Sequence, residues 1–90
     1  MTLDDGDKLL EFPCDFPIKA MGAASAYFET LVLEIVRRHV PDLDRDAVRR
    51  RPSRNGRFLS ITVTVRARNK QQLDAIYAEL SAHQDVLMAL

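Results

Sequence analysis

Phe58-Leu59-Ser60-Ile61-Thr62-Val63-Thr64-Val65-Arg66-Ala67 is the stretch that decides the fold. Leu59, Ile61, Val63, Val65 and Ala67 occupy every second position, and Ser60, Thr62, Thr64 and Arg66 fill the places between them. Successive side chains of an extended chain point to opposite sides, so this alternation predicts a strand with one apolar and one polar face. An isolated strand cannot shield its apolar face. The flanking sequence must supply both the neighbouring strands and a covering layer.

Immediately upstream, Pro52-Ser53-Arg54-Asn55-Gly56 contains Asn-Gly, a pair that tolerates the positive φ of a tight hairpin turn. The residues before it, Ala47-Val48-Arg49-Arg50-Arg51, are then expected to be the hairpin's other strand, short and carrying exposed arginines. Further back, Phe28, Leu31, Val32, Ile35 and Val36 recur at spacings of three and four between Ala24 and Val40. That is the pattern of an amphipathic helix. Ser25 is its N-cap, Arg37 and Arg38 suit the negative end of its dipole, and Pro41 prevents its continuation. Ahead of the helix, Phe16 to Met21 forms a short strand with Phe16, Ile18 and Ala20 on one side, ending at Gly22. Pro17 gives no ladder hydrogen bond, which requires it to sit at the strand's start or on an unpaired edge.

Downstream, Asn69 with Gln72 resembles a capping box, and Leu73, Ile76, Tyr77 and Leu80 trace a second helical stripe ending near Ala82. Val86-Leu87-Met88-Ala89-Leu90 is a short apolar run expected to be the last strand. The order is βαββαβ: an α+β, ferredoxin-like sandwich in which two helices cover one face of a four-stranded antiparallel sheet. Residues 1–8 form an acidic tail, and residues 9–90 a single ferredoxin-like domain anchored by Leu9, Leu10 and Phe12.

The bulk composition agrees with this reading. Apolar residues make up 47% of the 90 and charged residues 29%, the mixture of a globular domain with one core. Thirteen basic residues balance thirteen acidic ones, so no global field draws the chain to nucleic acid or to a membrane. Met1 to Asp7 lacks the basic-then-apolar order of a secretion signal, and no apolar run reaches membrane-spanning length. The lone cysteine, Cys14, fits a reducing compartment, and the expectation is a cytoplasmic protein.

Little in the sequence points to catalysis. Cys14 lies between Pro13 and Asp15, a carboxylate that disfavours a thiolate. His39 and His83 each fall at a helix end, where imidazole caps free carbonyls and complements the dipole. One cysteine and two distant histidines make no metal-ligand pattern. Gly6, Gly22 and Gly56 belong to no phosphate-binding loop. The expectation is a chain that is not an enzyme and carries neither cofactor nor metal. Its one local asymmetry is the group Arg49, Arg50, Arg51, Arg54 and Arg57, which with His39 forms the candidate contact for a partner or an anion. The alternative use of these arginines is RNA binding. The polar face of the central strand, however, offers no aromatic platform on which bases would stack.

Taken in order, Leu10-Glu11-Phe12-Pro13, Lys19, Met21-Gly22, Glu34, Val36, Arg38-His39 and Pro41 resemble the YbeD-like family of small bacterial proteins. The resemblance continues through Pro52-Ser53, Asn55-Gly56, Ser60-Ile61-Thr62-Val63, Gln72-Leu73, Ile76-Tyr77, Glu79-Leu80, Val86, Met88 and Leu90. It implies a fold like that of ACT-type regulatory domains, which bind amino acids and modulate metabolic enzymes. On that likeness an effector would sit at the first strand-helix turn, at Met21, Gly22, Ala23 and Ala24. The function to expect is a regulatory or adaptor domain that senses a small metabolite, contacts a metabolic enzyme or pairs with itself as a homodimer.

Overall fold

A computed structural model of the chain describes residues 11–90, and the acidic tail expected over residues 1–8 lies outside them. Ten residues of the central stretch, Phe58–Ala67, form strand β3. β3 pairs antiparallel with β1, Cys14–Ala23, along its whole length, from Cys14 opposite Ala67 to Ala23 opposite Phe58. The first strand is therefore longer at both ends than Phe16 to Met21. A continuous partner supplies ladder bonds that override the local breaking tendency of Pro17 and Gly22. Pro17 is tolerated because Lys19, two residues on, exchanges both backbone bonds with Leu90, so the missing donor of Pro17 points to the same side, beyond the last pair.

Helix α1, Ala26–His39, starts where Ser25 Oγ accepts the Phe28 N–H at 3.1 Å. Ala24 and Ser25 stay outside it, because the cap residue is extended, with φ −160°. After a 3₁₀ turn at Arg45–Ala47, capped by the Asp44 carboxylate, comes β2, Val48–Pro52. Its connection to β3 is wider than an Asn-Gly two-residue turn. Among the described residues only Gly56 has positive φ, at 75°, and the Asn55 side chain accepts from the Arg57 N–H while Ser53 and Phe58 close the loop. Helix α2, Lys70–Ala82, follows, capped by Asn69 Oδ1 on the Gln72 N–H at 2.8 Å. The reciprocal bond from Gln72 reaches Arg68 N–H instead of Asn69, and its amide nitrogen donates to the last-turn carbonyl of His39, tying α2 to α1.

The final strand β4, Met88–Ala89, is shorter than the apolar run that contains it. Val86 is drawn into a turn by its bond to the His83 carbonyl and buries its side chain. The four strands lie in the order β2-β3-β1-β4, which fits the ferredoxin-like arrangement. Both helices cover one face. Ile18, Ala20, Ile61, Val63 and Val65 from the strands meet Phe28, Val32, Ile35 and Val36 of α1 and Ile76 and Leu80 of α2, each almost wholly removed from solvent. Burial of each large aliphatic side chain stabilises the fold by about 1.5–3 kcal/mol before entropy is counted. At the edge of this layer Phe16 and Tyr77 meet edge to face at 6.5 Å, and burial pushes the Tyr77 hydroxyl above its ordinary pKa.

Candidate functional site

The register decides which side chains the uncovered face of the sheet presents. On β3 these are Phe58, Ser60, Thr62, Thr64 and Arg66; on β1, Asp15, Pro17, Lys19 and Met21 lie opposite them. Arg51 stands beside Ser60 and Arg49 beside Thr62, while Met88 flanks Met21 and Leu90 flanks Lys19. The face is thus divided. One corner is apolar, with Phe58 40%, Met88 50% and Leu90 66% exposed beside Met21. The adjoining band carries Lys19, Arg49, Arg51 and Arg66; Asp15 pairs with Arg66 at 3.3 Å, and Asp42, Asp44 and Asp46 of the segment before β2 border the same hollow as Arg49 and Arg66. A shallow cleft between Met21, Arg51, Phe58 and Ser60 joins the two halves.

The pleat separates the arginines that the sequence places together. Arg50 points to the helix side and forms a two-pronged pair with Glu29 of α1, Nε to Oε1 at 2.6 Å and Nη2 to Oε2 at 2.8 Å. That contact lowers the Glu29 pKa and raises that of Arg50. Arg49 and Arg51 face the other way, onto the open sheet. Arg54 is exposed in the hairpin turn, and Arg57, also exposed, offers its carbonyl to the Ala24 N–H at 2.8 Å. His39 is remote from all five, because it ends α1 and bonds through Nε2 to Glu79 Oε1 of α2 at 2.8 Å. Arg38 holds the other oxygen of Glu79, and the two contacts keep that carboxylate below its ordinary pKa. His83 is used differently: its Nδ1 accepts the Asp85 N–H at 3.1 Å, which places the ring proton on Nε2 when the imidazole is neutral.

The residues at the first strand-helix turn do not converge on one space. Met21 belongs to the open face, and Gly22 is buried on the helix side. A Cβ on Gly22 would lie 2.3 Å from the Phe28 ring and 2.6 Å from the Asp85 carbonyl oxygen, so its missing side chain admits the core and the loop before β4. Ala23 lines a neighbouring hollow of about 230 Å³ with Ser25, Tyr27, Gln84, Asp85 and Leu87. Ala24 spends its N–H on Arg57. Cys14 opens β1, half-buried against the core. Among the described residues, no three His, Cys, Asp or Glu side chains gather as metal ligands. None of the described helices is long and apolar enough to cross a membrane.

Sequence reasoning missed Lys19, Phe58, Met88 and Leu90 as surface candidates. For Phe58 a signal existed, since it shares the parity of Ser60 and Thr62. For Met88 and Leu90 it did not, because an unbroken apolar run carries no parity.

A family model described as "Protein of unknown function (DUF493)" matches residues 7–90. The chain belongs to this family. The UPF0250 protein of Chromobacterium violaceum is 48% identical over 87 residues, covering 97% of this chain and 98% of the relative. That of Nitrosomonas europaea is 45% identical over 84 residues, covering 93% and 97%. That of Azotobacter vinelandii is 49% identical over 82 residues, covering 90% and 89%. The YbeD-like resemblance carried by the motifs from Leu10 to Leu90 is thereby established, and with it a place among small bacterial proteins. In this DUF493 member the open sheet face carries both unburied apolar surface and cationic side chains outside the ion pairs of the described residues, while a second exposed apolar pair, Tyr27 and Leu87, lines the hollow beside Ala23.

Proposed function

We propose that this DUF493 chain is a non-catalytic adaptor or regulatory domain that contacts another protein, such as a metabolic enzyme, through the open face of its sheet. The observation that carries the reading is the composition of that face: Phe58, Met88 and Leu90 exposed together beside Lys19, Arg49 and Arg51. Protein interfaces combine an apolar centre with a polar, arginine-bearing rim, whereas isolated surface hydrophobes carry no such meaning. The groups that chemistry would need are engaged elsewhere. His39 bonds Glu79, His83 serves the backbone of Asp85, and Cys14 is held at the start of a strand. A nucleophile needs a base within hydrogen-bond reach, and no such pair occurs among these three residues.

Position-resolved photo-crosslinking in cells tests this reading. A photoreactive residue at Phe58 or Met88 is expected to capture protein, and the same residue at Glu34 or Gln71, on the outer surfaces of the helices, is not. Equal capture at all four positions would remove the reading. Capture of nucleic acid alone at Phe58 would replace it with the RNA-binding alternative.

A further inference from the structure

The sheet has an uncovered edge as well as an uncovered face. Among the described residues β2 is hydrogen-bonded on one side only, to β3. The Ser53 N–H bonds the Phe58 carbonyl, which fixes the alternation: Arg49 and Arg51 direct their backbone groups toward β3, while Val48 and Arg50 direct theirs outward. The outer edge therefore offers the N–H and C=O of Val48 and Arg50 and the C=O of Pro52. The same two-residue repeat governs the side chains. Arg50 is neutralised by Glu29, but the guanidinium groups of Arg49 and Arg51 are among neither the ion pairs nor the side-chain hydrogen bonds of the described residues. They project from one side of the edge at every second position.

Resting on the adaptor reading above, we propose that β2 is the docking edge for an extended acidic segment of the partner protein. The segment adds as a fifth strand, and its carboxylates at alternate positions meet Arg49 and Arg51. Strand addition supplies main-chain hydrogen bonds for affinity and alternate side chains for selection. Charge decides the occupant. A second copy of β2 laid antiparallel on the first would set arginine against arginine, which is destabilising across a strand pair, whereas a Glu-Val-Glu repeat puts opposite charges there. Segments whose acidic residues are adjacent in sequence would send half of them to the helix side, where Glu29 already occupies Arg50.

The test uses the full chain and two short capped peptides of one composition, one alternating Glu and Val and one with its glutamates contiguous. The alternating peptide is expected to bind about tenfold more tightly than the contiguous one, and R49E/R51E to lose about tenfold relative to R54E, a charge change outside the strand. Amide hydrogen exchange is the second readout: Val48 and Arg50 should slow on peptide binding, because their N–H groups gain partners. Equal affinity for the two peptides, or binding without that protection, would overturn the proposal in favour of diffuse electrostatic contact. Protection of Val48 and Arg50 already present in the peptide-free protein would overturn it in favour of a second copy or another part of the same chain. Crosslinking at Phe58 and Met88 is independent of both readouts, so the adaptor reading survives a failure confined to β2.

Discussion

The two faces of β3 are built from one alternating decapeptide, yet they serve opposite ends. Ile61, Val63, Val65 and Ala67 are removed from solvent by two helices, while Thr64 and Arg66, between them in sequence, remain exposed. The covered face is determined by shape, since close-packed interiors register the loss of even one methylene. The open face is set by charge and by a small apolar corner, and its side chains are exposed or only partly buried. On the adaptor reading proposed above, stability and recognition fall to opposite sides of the same strand.

The sharpest way to break the contrast is to empty the covered side. Phe28→Ala should cost about 3–5 kcal/mol in denaturant unfolding, because a fully buried ring leaves a cavity between α1 and the sheet. Thr62→Ala, on the open side, is expected to stay within about 0.5 kcal/mol of the parent. Gly22→Ala comes next, with a loss of about 1–3 kcal/mol: the Phe28 ring can shift away from the new methyl group, whereas the Asp85 backbone carbonyl moves only with its loop. Gly56→Ala adds no contact, since no atom lies within 4 Å of its Cβ position. It should still cost about 1–2 kcal/mol, through positive φ alone. Comparing these two glycine variants in thermal melts separates steric from conformational loss.

A small effect, and one that depends on pH, belongs to Glu79→Gln. Its carboxylate is held below the ordinary value of 4.5 first by Arg38 and then by His39, so the stabilisation it contributes is present above that value and fades as pH falls through the lowered one. At neutral pH the variant should be less stable by under about 1 kcal/mol, as for other solvent-screened pairs, and the two unfolding curves should converge once the pH has fallen below the lowered value. A difference that persisted in acid would show that Glu79 acts through packing and not through charge.

Several features were legible locally because the chain needs no distant partner to produce them. Ser25 and Asn69 cap their helices through bonds spanning three residues, and the stripe Phe28, Leu31, Val32, Ile35 and Val36 defines a buried face by its period alone. The full length of β1 was not legible, since Cys14, Asp15, Gly22 and Ala23 become strand only when β3 lies alongside. Nor was the division of the arginines. Arg49, Arg50 and Arg51 form one charge run in sequence, and the pleat with Glu29 across the interface removes the middle one. His39 had the location at a helix end that the sequence assigns it, but its partner Glu79 is 40 residues away.

By itself, the sequence determined the α+β class, the order of the elements and which side of each helix and of β3 turns inward, because those follow from periods of 3.6 and 2 that neighbouring residues enforce. Tertiary structure alone decided where β4 pairs and which edge of β2 stays open. It also brought Met88 and Leu90 beside Lys19 and Met21, since register between strands is set by hydrogen bonds across the sheet and not along the chain.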